Sequence, residues 1–101
     1  MREKKMKIMI SQPMRGRSNK EILEERQSVI DYLQTRGHEV INTVFDIDDI
    51  SEYVSLRYLS KSIEAMSQVE AVIFMPGWEN ARGCRIEHQA AKEYGKFIKY
   101  L

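Results

Sequence analysis

Short apolar runs alternate along this chain with longer stretches in which apolar residues recur every three or four positions, the signature of strands interleaved with amphipathic helices. Residues 7–10 read as a short buried strand and 11–17 as the loop leaving it. Ser18 and Glu21 fit a capping box that opens a helix, whose apolar stripe is Ile22, Leu23, Val29, Ile30 and Leu33, with Gly37 as its stop. Residues 38–42 supply the next strand, so strand, helix and strand follow within the length of a βαβ crossover and pair in parallel. A second helix is predicted over 52–68, with Leu56, Leu59, Ile63 and Met66 on its apolar side. Residues 71–75 form a continuous apolar run, the mark of a strand covered on both faces. A third helix over 82–94, ended by Gly95, carries the stripe Gly83, Ile86, Ala90 and Tyr94, which makes Tyr94 a core residue, and 96–100 give a last strand.

This alternation predicts a small three-layer α/β sandwich with right-handed crossovers and a four-stranded parallel sheet in the order 2-1-3-4. In such a sheet the ligand crevice lies beyond the carboxyl ends of the strands where the winding reverses, between the first and third strands. The loops 11–17 and 76–83 converge there. Between the second strand and second helix, the segment 42–52 holds Asp46, Asp48, Asp49 and Glu52 without the glycine of a calcium loop, and it reads as a solvated acidic loop.

Glu87 breaks the pattern of the third helix. It falls within the inner stripe although Arg85, Gln89, Lys92 and Glu93 define an ordinary polar face, and an inward carboxylate costs desolvation energy unless something answers it. The early turns of the helix, with free N–H groups and the positive end of the dipole, are expected to hold it ionised as a nucleophile at the mouth of the crevice. The alternative is a structural ion pair with Arg82, Arg85 or Lys92. Arg15 and Gly16 stand before a helix start, where main-chain N–H groups and a guanidinium together grip an anion such as a phosphate; the alternative is an exposed loop arginine. Arg17 is a weaker candidate of the same kind. Trp78 offers an indole to stack on a base, or a lid over apolar surface. Glu79 and Asn80 fit sugar hydroxyls or base edges, and Asn80 fits a helix cap better. His88 reads as a surface or interface histidine, and Cys84 as a packed thiol outside the chemistry.

Composition narrows the field. With 101 residues, 43% hydrophobic and 31% charged, the chain has the profile of one globular domain, small enough to gain from pairing with a copy of itself. A net charge of +1 gives no electrostatic case for nucleic acid or membrane, and the apolar run after the basic start is too short for a signal peptide or a spanning helix. A cytoplasmic protein is expected. The single cysteine excludes an internal disulfide and offers no metal cluster.

The opening Met9-Ile10-Ser11-Gln12-Pro13-Met14-Arg15-Gly16, the turn Gly77-Trp78-Glu79-Asn80-Ala81-Arg82-Gly83-Cys84, and the ending Glu87, Ala90, Ala91, Gly95 resemble small domains of unknown function found in phages and bacteria. Those domains resemble in turn the nucleoside 2-deoxyribosyltransferases and 2′-deoxynucleoside 5′-monophosphate N-glycosidases. The resemblance implies a flavodoxin-like fold and cleavage or transfer at the bond between deoxyribose C1′ and a nucleobase, with no cofactor. Glu87 takes the place of the family nucleophile that forms a covalent deoxyribosyl intermediate, the strategy of a retaining glycosidase. Ser11, Pro13, Met14, Arg15, Gly16, Gly77, Trp78, Glu79, Asn80 and Gly83 would bind a nucleotide or nucleoside, with Arg15 and Gly16 at a 5′-phosphate. A homo-oligomer is implied as well. Met9 stands where many family enzymes carry a tyrosine, and Pro76-Gly77 replaces their aspartate, which leaves protonation of the base to Glu79 or to a neighbouring copy. A non-catalytic module that binds or sequesters nucleotides is the alternative.

Overall fold

The structure, a computed structural model, describes residues 4–44 and 54–101. The greater part of the acidic segment and Tyr53 lie outside the described residues. Four strands, β1 (Lys7–Ser11), β2 (Glu39–Val40), β3 (Ala71–Phe74) and β4 (Phe97–Tyr100), alternate with three helices, α1 (Asn19–Thr35), α2 (Val54–Met66) and α3 (Arg82–Glu93). All neighbouring strands run parallel, in the order β2-β1-β3-β4. The α/β sandwich and its strand order therefore follow the apolar pattern.

The helix ends follow local chemistry. Ser18 and Glu21 form the reciprocal capping box at the start of α1. At its other end Gly37 has φ +87°, the Gly37 N–H donates to the Gln34 carbonyl and the His38 N–H to the Leu33 carbonyl. Gly95 repeats this Schellman closure after α3, with the Gly95 N–H on Lys92 and the Lys96 N–H on Ala91.

The pleat of the central strands sorts the core into two lobes. Met9, Val72 and Phe74 pack with Met66, Val69 and Ala91 on the side covered by α2 and α3, while Ile8, Ala71 and Ile73 pack with Leu33 on the side covered by α1. Register places Ser11 beside Phe74. Two residues on from Met9, Ser11 shares its face and is carried toward α3.

Several apolar positions differ from the predicted stripes. The buried residues of α3 are Cys84, Glu87 and Ala91; of the predicted stripe, Ala90 packs half-buried against the core, whereas Ile86 and Tyr94 do not. Small side chains at 84 and 91 let the helix sit close on the sheet, so Ile86 turns outward and Tyr94, at the C-cap, is 82% exposed. Leu56 on α2 and Leu23 on α1 are exposed too. On α1 the buried stripe runs Ile22, Arg26, Leu33, with an arginine inside it.

Candidate active site

Beyond the carboxyl ends of β1 and β3 a cleft of about 1090 Å³ opens, with Pro13, Met14, Arg15 and Arg17 on one lip, Gly77, Asn80, Ala81, Arg82 and Gly83 on the other, and Tyr58, Leu59 and Ser62 of α2 facing them. The two lips touch: a side chain at Gly77 would begin 3.6 Å from Pro13 Cγ. Glu87 lies on the wall of this cleft and is 8% exposed. Among the described residues no ion pair involves it, and Arg85, one of its expected partners, donates instead to the Glu79 carbonyl at 3.1 Å.

Burial dominates the electrostatics of Glu87, pushing its carboxyl up to about 7, against the opposing pull of Ser11 and of the Arg26 charge. Glu87 sits in the second turn of α3, where the dipole is weak, and its desolvation outweighs the help expected from the helix start, so the carboxyl gives up its proton less readily than an ordinary glutamate. Ser11 Oγ faces both the Glu87 carboxyl and the Cys84 thiol, yet it is 1% exposed and has no hydrogen bond of ordinary geometry. Burial also raises Cys84 to about 11, which leaves it a protonated, packed thiol.

Gln12, Thr43 and Tyr58, which line the cleft, join the buried Arg26 in a polar scaffold that the sequence pattern did not bring forward. Arg26, 1% exposed, donates from Nε to Gln12 Oε1 at 2.8 Å, from Nη1 to Thr43 Oγ1 at 3.3 Å and from Nη2 to the Ile10 carbonyl at 3.4 Å. Gln12 is held in turn by its Nε2 on the Ile22 carbonyl at 3.1 Å, and Thr43 by its hydroxyl on the Ile10 carbonyl at 3.2 Å. Tyr58 closes the network from α2, its hydroxyl donating to the Thr43 carbonyl at 3.0 Å. A charged residue inside the apolar stripe of α1 is the same signal that singled out Glu87.

Of the predicted binding residues, Pro13, Met14, Arg15, Gly77, Asn80 and Gly83 line the cleft with Glu87, Ser11 is buried next to Glu87, and Gly16, Trp78 and Glu79 lie outside the walls. Trp78 packs its ring 4.2 Å from His88 and 5.6 Å from Tyr100, and His88 Nε2 is 2.6 Å from the Tyr100 hydroxyl. His88 is thereby part of an aromatic cluster at the β4 end of the sheet. Arg17 is tied to Glu25, whereas Arg15 is exposed and makes no ion pair among the described residues. Asn80 is not the cap of α3; the N-cap is Ala81, without a side-chain bond, and the first backbone closure is the Arg85 N–H on the Ala81 carbonyl. The leading N–H groups of α3 therefore stay open beside Gly83, in front of which space is free. No group of three potential metal ligands occurs among the described residues.

A family model described as a domain of unknown function, DUF4406, matches residues 6–100. The chain belongs to this family. The matched span takes in every described strand and helix of this DUF4406 domain, and with them both lips of the cleft and Glu87. No curated protein and no solved structure matches the chain. No described helix is long and apolar enough to cross a membrane.

Proposed function

We propose that this DUF4406 domain cleaves or transfers at the N-glycosidic bond of a 2′-deoxynucleotide or nucleoside, with Glu87 as the nucleophile and Arg15 as the phosphate anchor. The observation that carries the proposal is the buried Glu87 carboxyl, in no ion pair among the described residues, on the wall of a cleft whose rim bears Arg15, Arg82 and open helix N–H groups. A shielded carboxylate suits an oxocarbenium-like centre, which it first stabilises and then bonds to. Arginines and N–H groups at the rim suit the phosphate at the other end of the sugar. The proposal places the protein in the cytoplasm, with its substrates.

A second reading, a module that binds or sequesters nucleotides without turning them over, is favoured by one observation. Glu87 is the sole carboxylate lining the cleft among the described residues, and Glu79 lies outside it, so no described acid stands ready to protonate the leaving base.

The test is incubation with a panel of deoxy- and ribonucleotides, with free base quantified and the intact protein weighed. Base release from deoxynucleotides with a trapped sugar adduct is expected, and Glu87→Gln should lower release by about a thousandfold or more while binding persists. Binding without release or adduct, unchanged by Glu87→Gln, would establish the second reading instead. Release from ribonucleotides alone would move the activity to ribohydrolase chemistry.

A further inference from the structure

We infer that Leu56 and Leu59 of α2 and Ile86 of α3 form the wall on which the cleft receives the nucleobase, by burial of its face rather than by hydrogen bonds to its edge. This role rests on the nucleotide reading proposed above.

The crossover helices of a parallel sheet run back from its carboxyl edge, so α2 and α3 both start at the cleft. Further along α2, Ile63 and Met66 enter the core, as the stripe predicts. Nearer its start the same stripe parts from the core: Leu59 is half-buried, Leu56 is 67% exposed, and both line the cleft. The start of α3 repeats this. Cys84 is buried, whereas Ile86 is 44% exposed and lines the cleft as well. Exposure alone says little, because single apolar side chains are common on surfaces. Leu23 and Tyr94 are exposed too, and neither lines the cleft. Leu56, Leu59 and Ile86 differ from them in sharing one concavity with the buried Glu87 carboxyl and with Arg15 and Arg82. A concave apolar wall facing a few polar groups is the make-up of a small-molecule site.

The occupant of the wall follows from the parts of the ligand. Arg15, Arg82 and the open N–H groups of α3 suit the phosphate, and Glu87 suits C1′, which leaves the base without a partner. Trp78, expected to stack on it, lies outside the cleft and packs on His88 and Tyr100 instead. The amide of Gln12 and the hydroxyl of Thr43 line the cleft but are already bonded to Arg26 and to backbone carbonyls. The base therefore meets the aliphatic wall, where covering its face removes apolar surface from water on both sides. Leucine and isoleucine carry no hydrogen-bonding group, so this wall does not tell one base edge from another.

Calorimetric titration separates these parts, with Glu87→Gln as the background so that no base is released during the measurement. There Leu56→Ser and Ile86→Ser should each weaken thymidine 5′-monophosphate and 2′-deoxyguanosine 5′-monophosphate alike, by about tenfold, the worth of one buried aliphatic side chain. Affinity for 2-deoxyribose 5-phosphate, which has no base, should stay unchanged. Both side chains already meet water, so the variants keep the fold. Leu23→Ser, at an exposed leucine outside the cleft, should leave all three affinities as they were. Unchanged nucleotide affinity in both variants overturns the inference, and so does an equal loss for the sugar phosphate or from Leu23→Ser. A loss confined to one of the two nucleotides overturns it as well, since that would be recognition of an edge. Weaker self-association in sedimentation, at unchanged affinity, would make the wall a contact between copies and overturn it too. Nucleotide binding that depends on the wall, in a wild-type protein that releases no base, upholds the wall and removes the glycosidic activity. Base release whose KM neither substitution moves does the reverse, and if no nucleotide binds, both fall.

Discussion

Glu87 costs the fold stability, and the sign of that cost can be measured. In the unfolded chain its carboxyl ionises at the ordinary value of 4.5, and in the folded protein burial raises it to about 7. Below both values the group is protonated in either state and costs nothing. As pH rises from 4.5 to 7 the unfolded state sheds its proton first, so the folded state loses ground, and above 7 the full penalty of about 3 kcal/mol is present. Glu87→Gln mimics the protonated form, and we expect it to raise stability by up to about 3 kcal/mol at pH 8 and to leave it unchanged at pH 4, measured by urea unfolding at both values. A glutamate kept for structure would show a loss at both. Glu87 was legible in the sequence because an acid interrupted a helical stripe, while its state of ionisation was not, since that depends on how deeply α3 docks. Arg26 gave an equal signal between Ile22 and Leu33, and it passed unread because a long basic side chain within a stripe usually carries its charge out to water.

Within the elements, the boundaries set by backbone chemistry were readable and the faces set by packing were less so. The capping box at Ser18 and the glycines after α1 and α3 act through bonds between near neighbours, so the residues alone specify them. The rotation of α3 about its axis, by contrast, is decided by which side chains are small enough to meet the sheet, and Cys84 and Ala91 win over Ile86 and Tyr94. The start of α3 follows a third logic: Asn80 was available as a cap, yet Ala81 stands at that position and the leading N–H groups remain free toward the cleft. Two substitutions separate these cases. Ser18→Ala should cost about 1 kcal/mol by loss of a working cap, and Asn80→Ala should stay within about 0.5 kcal/mol in urea unfolding while weakening nucleotide affinity in calorimetry, because Asn80 faces the cleft. Equal destabilisation by the two would mean that Asn80 caps α3 after all.

At the scale of the molecule, strand order decides both where the cleft opens and where the sheet stays bare. The crossover from β1 to β2 runs one way and those to β3 and β4 run the other, which parts the loops after β1 and β3 and puts α1 alone on one face with α2 and α3 on the other. The order was readable from alternation of elements, and so was the crevice at the reversal. The uneven cover was not, because it depends on how far α1 reaches across four strands. It stops short, leaving an apolar groove of about 390 Å³ floored by Ile8, Ala71 and Ile73 and bordered by Phe97, which is 68% exposed. Phe74, on the opposite face, is fully buried against Trp78 and His88. The two phenylalanines therefore carry very different weights although both sit on parallel strands next to each other. Phe74→Ala should cost about 3–5 kcal/mol, since it opens a cavity beneath the aromatic cluster. Phe97→Ser should change stability by no more than about 0.5 kcal/mol, since its ring already meets water. Denaturant midpoints of the two variants, taken at low protein concentration, check the contrast, and a loss at Phe97 comparable to that at Phe74 would show that the α1 face of β3 and β4 is covered in solution.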